Sequence, residues 1–159
     1  FENLDNYDNK LQLILAGEID YANPSAISQE YLNKKLKDNK NIKWLGKITD
    51  VKKLWNKSHI AVLASRREGL PKSLLEAAAS GKPIIASDVP GCREIAINGV
   101  NAITFPLDDG NKLMEAIKIL SNDKELRKKY GLKSREIVEN GMSEDFIVKK
   151  TISVYKKNI

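Results

Sequence analysis

This sequence predicts an α/β fold, a parallel sheet with helices on both faces, and three observations predict it. Short apolar runs alternate with longer stretches of helical period, the mark of successive strand–helix units. The first of these runs is continuous rather than alternating, as in a strand covered on both sides. Glycine closes several of the units, as at Gly17, Gly46 and Gly81.

The elements follow in order. Lys10–Gly17 (KLQLILAG) reads as a strand buried on both faces, ending in glycine. A helix is expected from about Pro24 to Asp38, with Asn23 as N-cap, Pro24 at the first helical position, and Ile27, Tyr31 and Leu36 facing inward. Asn41–Leu45 is the second strand. Asp50–Lys57 is a short helix with Val51, Leu54 and Trp55 on one face, and His59–Ser65 (HIAVLAS) is the third strand. Leu70–Ser80 forms a helix ending at Gly81, and the Gly81-Lys82-Pro83 turn feeds the fourth strand, Ile84–Ser87. A helix near Cys92–Asn98 and a strand near Ala102–Phe105 come next. Three helices close the chain, roughly Asp109–Ser121, Asp123–Asn140 and Ser143–Lys157. The last is capped by Ser143 and buries Ile147, Thr151, Val154 and Tyr155. With no repeat and no low-complexity linker, residues 1–159 read as a single domain.

Composition narrows the class. At 159 residues the chain is one domain's worth, large enough to bury a core without a disulfide or metal staple. One cysteine, Cys92, excludes an internal disulfide framework, and one histidine, His59, leaves the common zinc sets unassembled, so no metal site is expected. The net charge of +6 comes from lysines interspersed with acids, as on a solvated surface. No apolar run approaches the ~18 residues of a membrane span, and nothing at the start resembles a signal peptide. A cytoplasmic location is expected. Phe1 is not a start methionine, and residues 1–10 read as the end of a helix whose beginning is absent. The chain is accordingly expected to be a piece of a longer protein.

In such sheets, ligands sit beyond the carboxyl ends of the strands. Attention therefore falls on the segment after the third strand, Arg66-Arg67-Glu68-Gly69-Leu70-Pro71-Lys72-Ser73-Leu74-Leu75-Glu76. Gly69 permits close approach of a ligand to the backbone. Pro71 sets the first helical residue with its φ fixed. The free amides of that helix start suit an anion such as phosphate. Glu68 precedes the helix and Glu76 lies in its second turn, so two acceptor-only carboxylates flank an anion site. A diphosphate with hydroxyl-bearing groups on both sides, as in a nucleotide-sugar, matches that layout. A helix start with proline and a nearby glutamate is also common for purely structural reasons.

The run Ser65–Gly91 (SRREGLPKSLLEAAASGKPIIASDVPG), followed by CREIAINGVNAITF, resembles the C-terminal nucleotide-binding domain of retaining GT-B glycosyltransferases of family 4. That family's Glu-x7-Glu signature is matched by Glu68 and Glu76 within E-G-L-P-x-x-x-x-E, then Ala77-Ala78-Ala79 and G-x-P at Gly81 and Pro83. The resemblance spans essentially the whole chain. It implies a Rossmann-like fold, the C-terminal half of a GT-B enzyme. Glu76 would then hydrogen-bond the donor ribose, and Glu68 would act at the donor sugar near the reacting carbon. The amides of Gly69, Leu70 and Lys72, beside Pro71, would lie against sugar and diphosphate. The loop Gly46–Ile48 would approach the base, and Arg66 or Arg67 would contact phosphate or be solvated. Such enzymes keep the anomeric configuration and use neither a divalent metal nor another cofactor.

The family's basic clamp on the diphosphate lies in a strand and loop upstream of Phe1, and its acceptor domain is absent, so this fragment alone is expected to be inactive. The wording of the segment is most similar to bacterial transferases that build surface polysaccharide or lipopolysaccharide on polyprenyl-diphosphate carriers. This implies a UDP-linked hexose or N-acetylhexosamine as donor and a glycan or lipid-linked acceptor. The positive balance would suit peripheral contact of the parent with anionic headgroups on the inner face of the cytoplasmic membrane, or simply solvation.

Other residues read as structural. Cys92 is a packing residue, Trp44 and Trp55 are core, Asp108-Asp109 is a helix cap, and Pro90-Gly91 with Glu94 helps to start a helix. His59 opens a strand. Competing readings are half of a UDP-sugar epimerase or of a phosphorylase, and a non-catalytic nucleotide- or nucleic-acid-binding domain. The E-G-L-P-x-x-x-x-E loop speaks against the epimerase, and no pyridoxal-phosphate lysine motif supports a phosphorylase. No basic groove with aromatic platforms supports nucleic acid.

Overall fold

A computed structural model describes residues 11–22, 26–142, 148, 152, 153, 155 and 156. The chain divides into two compact units, residues 1–51 and 52–159.

In the first unit, β1 (Leu13–Leu15) pairs in parallel with β2 (Ile42–Trp44), Leu13 beside Ile42 and Leu15 beside Trp44. The β1 residues are half-buried. The first strand is therefore shorter than its apolar run and not fully buried, and among the described residues its ladder runs to β2 alone. Helix α1 (Gln29–Asp38) starts five residues later than expected. Ser28 caps it, its hydroxyl accepting from the Tyr31 amide at 3.1 Å. Asn23 and Pro24 lie outside the described residues. With the start at Gln29, the inward stripe runs through Leu32 and Leu36. Leu32 is buried, while Ile27 and Tyr31, expected inside, are exposed.

The second unit carries α2 (Val51–Lys57, all but its first residue), β3 (Ala61–Leu63), α3 (Lys72–Ala79), β4 (Ile84–Ser87), α4 (Pro90–Arg93), β5 (Ala102–Phe105), α5 (Gly110–Asn122) and α6 (Lys124–Gly141). β4 lies between β3 and β5, all parallel, with Ile84 beside Ala61 and Ala102. All four β4 residues are buried. Successive side chains of a strand face opposite ways, so Ile84 and Ala86 join a core with Ala61, Leu74, Ala77, Ala78 and Cys92. Ile85 joins another with Phe105, Ala116, Leu120 and Tyr130. Helix α3 covers one face and α5 the other. Helix α6 reaches both cores, through Tyr130 in one and through Val138, with the C-cap Met142, beside the other.

Local chemistry sets the helix ends. Asp109 caps α5 by accepting from the Lys112 amide, and Asp123 caps α6 by accepting from the Leu126 amide. Asp108 takes no part in that cap. Helix α3 closes in a Schellman turn: the Gly81 amide donates to the Ala78 carbonyl, that of Lys82 to Ala77, and Gly81 sits at φ 65°. Helix α4 is shorter and earlier than expected, Pro90–Arg93 rather than Cys92–Asn98. Proline takes its first position, and the Cys92 and Arg93 amides both donate to the Val89 carbonyl. In the last expected helix, Val148, Ile152, Ser153, Tyr155 and Lys156 are helical and exposed. Tyr155 is therefore not buried, and Ser143, Ile147, Thr151 and Val154 lie outside the described residues. No helix among the described residues is long and apolar enough to cross a membrane.

Candidate functional site

The segment from β3 to α3 holds most of the residues singled out above. Arg66, Arg67, Gly69 and Leu70 are exposed on the loop, and Glu68 is half-buried between them. Pro71 proves to be the N-cap of α3 rather than its first helical residue. Its ψ of 110° is extended, and its φ of −70° fits either position. Pro71 is buried and supplies no side-chain cap, while its carbonyl accepts from the Leu74 and Leu75 amides. The amides of Lys72 and Ser73 come too early in α3 to reach a helical carbonyl, so they face outward with the positive end of the dipole.

Glu76 lies one turn further on, its side chain one-third exposed, with the Lys72 ammonium 3.8 Å from its carboxylate. Lys72 is 88% exposed, so this pair constrains Glu76 weakly and leaves it acceptor capacity. Along the chain, the uncapped helix start thus has one carboxylate before it, Glu68, and an ammonium and a second carboxylate after it, Lys72 and Glu76. Arg66 is drawn sideways, its guanidinium 2.8 Å from the Asp108 carboxylate beyond β5.

The loop is backed by α4. An added Cβ at Gly91 would stand 2.2 Å from the Gly69 carbonyl oxygen. Beside it Cys92 is wholly buried, and burial, reinforced by the charge of Glu68, raises the thiol pKa. Next, Arg93 donates to the Asp88 carboxylate at 2.7 Å, which holds that carboxyl below its ordinary value.

Ile48 belongs to the first unit, half-buried after β2. There the ends of β1 and β2 are joined by the Gly17 amide donating to the Gly46 carbonyl, with both glycines at positive φ. A cavity of about 470 Å³ opens here, lined by Glu18, Ile19, Tyr21, Trp44, Gly46 and Lys47. Trp44 was expected in the core but forms this wall, its indole N–H donating to the Gly17 carbonyl at 2.8 Å. The signal for it was the pair of glycines that end two adjacent parallel strands. Among the described residues no group of three His, Cys, Asp or Glu side chains is arranged to hold a metal.

A family model described as "Glycosyl transferases group 1" matches residues 1–137. The chain is 35% identical over 127 residues to a Campylobacter jejuni protein. That protein is named N,N'-diacetylbacillosaminyl-diphospho-undecaprenol alpha-1,3-N-acetylgalactosaminyltransferase; the match covers 80% of this chain and 32% of it. The Staphylococcus aureus capsular polysaccharide biosynthesis glycosyltransferase CapM is 28% identical over 91% of this chain and 37% of its own. The chain thus spans about a third of the length of these relatives. Among solved structures, Anabaena HepE in complex with UDP superposes with a TM-score of 0.85 at 18% identity, covering 98% of this chain and 43% of that one. The C-terminal domain of the Francisella tularensis group 1 protein LpcC superposes at 0.76 with 23% identity, over 89% and 74%.

Proposed function

The chain belongs to the group 1 glycosyl transferases, and from that premise we propose that it is the donor-binding half of a retaining, metal-independent hexosyltransferase. The parent transfers a hexose or N-acetylhexosamine from a UDP-sugar to a polysaccharide or lipid-linked acceptor, which the remainder of the protein holds. One observation carries the reading: Glu68 and Glu76 flank the uncapped start of α3, with Lys72 beside Glu76.

In this reading the ribose hydroxyls donate to Glu76, and Glu68 acts at the donor sugar. The amides beside Pro71, those of Gly69, Leu70 and Lys72, meet the sugar and diphosphate, where the helix dipole favours negative charge. Arg66 keeps further guanidinium N–H donors beside its Asp108 pair, and these serve phosphate. No cofactor is required. The parent works in the cytoplasm or at the inner face of its membrane, and the name of the Campylobacter relative, an undecaprenol-diphosphate sugar transferase, supports a lipid-linked acceptor.

Ligand-observed NMR with UDP, UDP-N-acetylglucosamine and UDP-glucose tests the donor half. Saturation transfer to ribose and base that is lost in Glu76→Ala is expected. Transfer unchanged by that substitution, or absent even when the chain is extended upstream, overturns the uridine-nucleotide assignment.

A further inference from the structure

Gly91 is the second residue of α4 and is buried against the loop that carries Glu68. A Cβ built on it would lie 2.2 Å from the Gly69 carbonyl oxygen, 2.3 Å from the Glu68 carbonyl oxygen and 2.6 Å from the Glu68 carbonyl carbon. All three are backbone atoms, so no side-chain rotation relieves the overlap, which is about an ångström inside ordinary contact. The φ of Gly91 is outside the left-handed region, so glycine is required here for space and not for conformation.

The two sides of this contact differ in firmness. On the α4 side, Pro90 fixes the backbone, Val89 and Cys92 are buried, and Arg93 clamps Asp88. On the other side, Arg66, Arg67, Gly69 and Leu70 are all exposed. A collision would therefore displace the loop before it displaced α4.

We infer that Gly91 is a positioning residue: its bare Cα is the bed on which the Glu68–Gly69 peptide rests, and it thereby sets where the Glu68 carboxylate and Gly69 amide meet the donor sugar. The inference rests on the reading of Glu68 given above. A reacting geometry displaced by about 1 Å lowers turnover on the order of 100-fold.

The test uses the full-length parent with UDP-N-acetylglucosamine as donor probe and compares Gly91→Ala, Glu68→Gln and Gly110→Ala. Gly110 has open space around its Cα and serves as the control. Gly91→Ala is expected to lower kcat about 10- to 100-fold, with UDP affinity unchanged and the Gly69 and Leu70 amide resonances moved. Gly110→Ala is expected to match wild type. A wild-type kcat in Gly91→Ala beside an impaired Glu68→Gln overturns the positioning role and leaves the donor reading standing. Wild-type turnover in Glu68→Gln sinks the donor reading of Glu68, and the positioning role with it. If the probe is not turned over, unmoved Gly69 and Leu70 amides in Gly91→Ala overturn the inference, and moved ones support it. If Gly91→Ala does not fold, Pro90→Ala loosens the bed without adding an atom at the contact. A fall in kcat of about threefold or more is then expected, and unchanged kcat and unmoved amides reject the proposal.

Discussion

Arg66 and Asp108 meet at 2.8 Å across the carboxyl end of the central strand, β4, although they follow β3 and β5 respectively. Asp108 sits at φ 63°, a left-handed conformation that Asp and Asn tolerate and β-branched residues do not. Both side chains are more than half exposed, so the ion pair itself stabilises by at most about 1 kcal/mol. Asp108→Asn should therefore change stability by less than about 1 kcal/mol, whereas Asp108→Val should cost about 1–2 kcal/mol from backbone strain. Denaturant titrations of the two variants distinguish them, and equal stabilities would show that the conformation at residue 108 carries no strain.

The two glutamates should separate kinetically. Glu76→Ala is expected to weaken UDP binding by about 1–3 kcal/mol, the loss of charge-assisted hydrogen bonds. Glu68→Ala should lower turnover with UDP affinity nearly intact. Calorimetry with UDP and steady-state rates on the full-length parent check this, and the same effect from both would remove the division of roles.

Asn101 is wholly buried and uses both ends of its amide. Its Nδ2 donates to the Ile95 carbonyl at 2.9 Å and the Ser134 hydroxyl at 3.2 Å, and its Oδ1 accepts from the Ile97 amide at 2.8 Å. Asn101→Ala leaves those groups buried without it and should cost on the order of 3 kcal/mol, the upper part of the range for orphaned polar groups. Ser134→Ala removes one bond and should cost about 1 kcal/mol. Urea midpoints of the two variants measure the difference.

Gly131 opposes two effects. Glycine inside a helix is ordinarily improved by alanine, by about 1 kcal/mol. Here the added Cβ would stand 2.2 Å from the Gly81 carbonyl oxygen. Overpacking costs about 1–3 kcal/mol, so Gly131→Ala should be destabilising overall. A raised melting temperature would show that α6 can slide away from the Gly81 turn.

Cys92 gives a pH signature. Its thiol pKa is raised by burial and by the charge of Glu68, so the unfolded chain ionises first as pH rises. The contribution of the neutral thiol is thus complete below the ordinary thiol value of about 8.5 and is lost as pH climbs through the folded one. Native protein should resist a thiol-reactive probe at neutral pH, and Cys92→Ala should lose less stability between neutral and alkaline pH than wild type. Parallel losses would rule out this source.

Much of the second unit was legible in the sequence. Ile84–Ser87 and Ala102–Phe105 are strands at the bounds their apolar runs predict, and Asp109 and Asp123 cap α5 and α6. Where an apolar run exceeded its ladder the reading overshot: His59–Ser65 contains only the strand Ala61–Leu63. The start of α1 was missed because Asn23-Pro24 and Ser28 are both acceptable starts, and the inward stripe moved with the choice from Tyr31 to Leu32.

The sequence by itself determined the order of strand–helix units, the Schellman end of α3, and the spacing that puts Glu68 before that helix and Glu76 within it. These depend on neighbours a few residues apart, where periodicity, caps and turns act. Only the tertiary structure decided that Arg66 is held by Asp108, that Trp44 walls a cavity, and that Gly91 supports the Glu68–Gly69 peptide. Those contacts join residues up to 42 positions apart in the sequence. The paths of the packed strands and helices set their distances, and no local pattern of side chains encodes them.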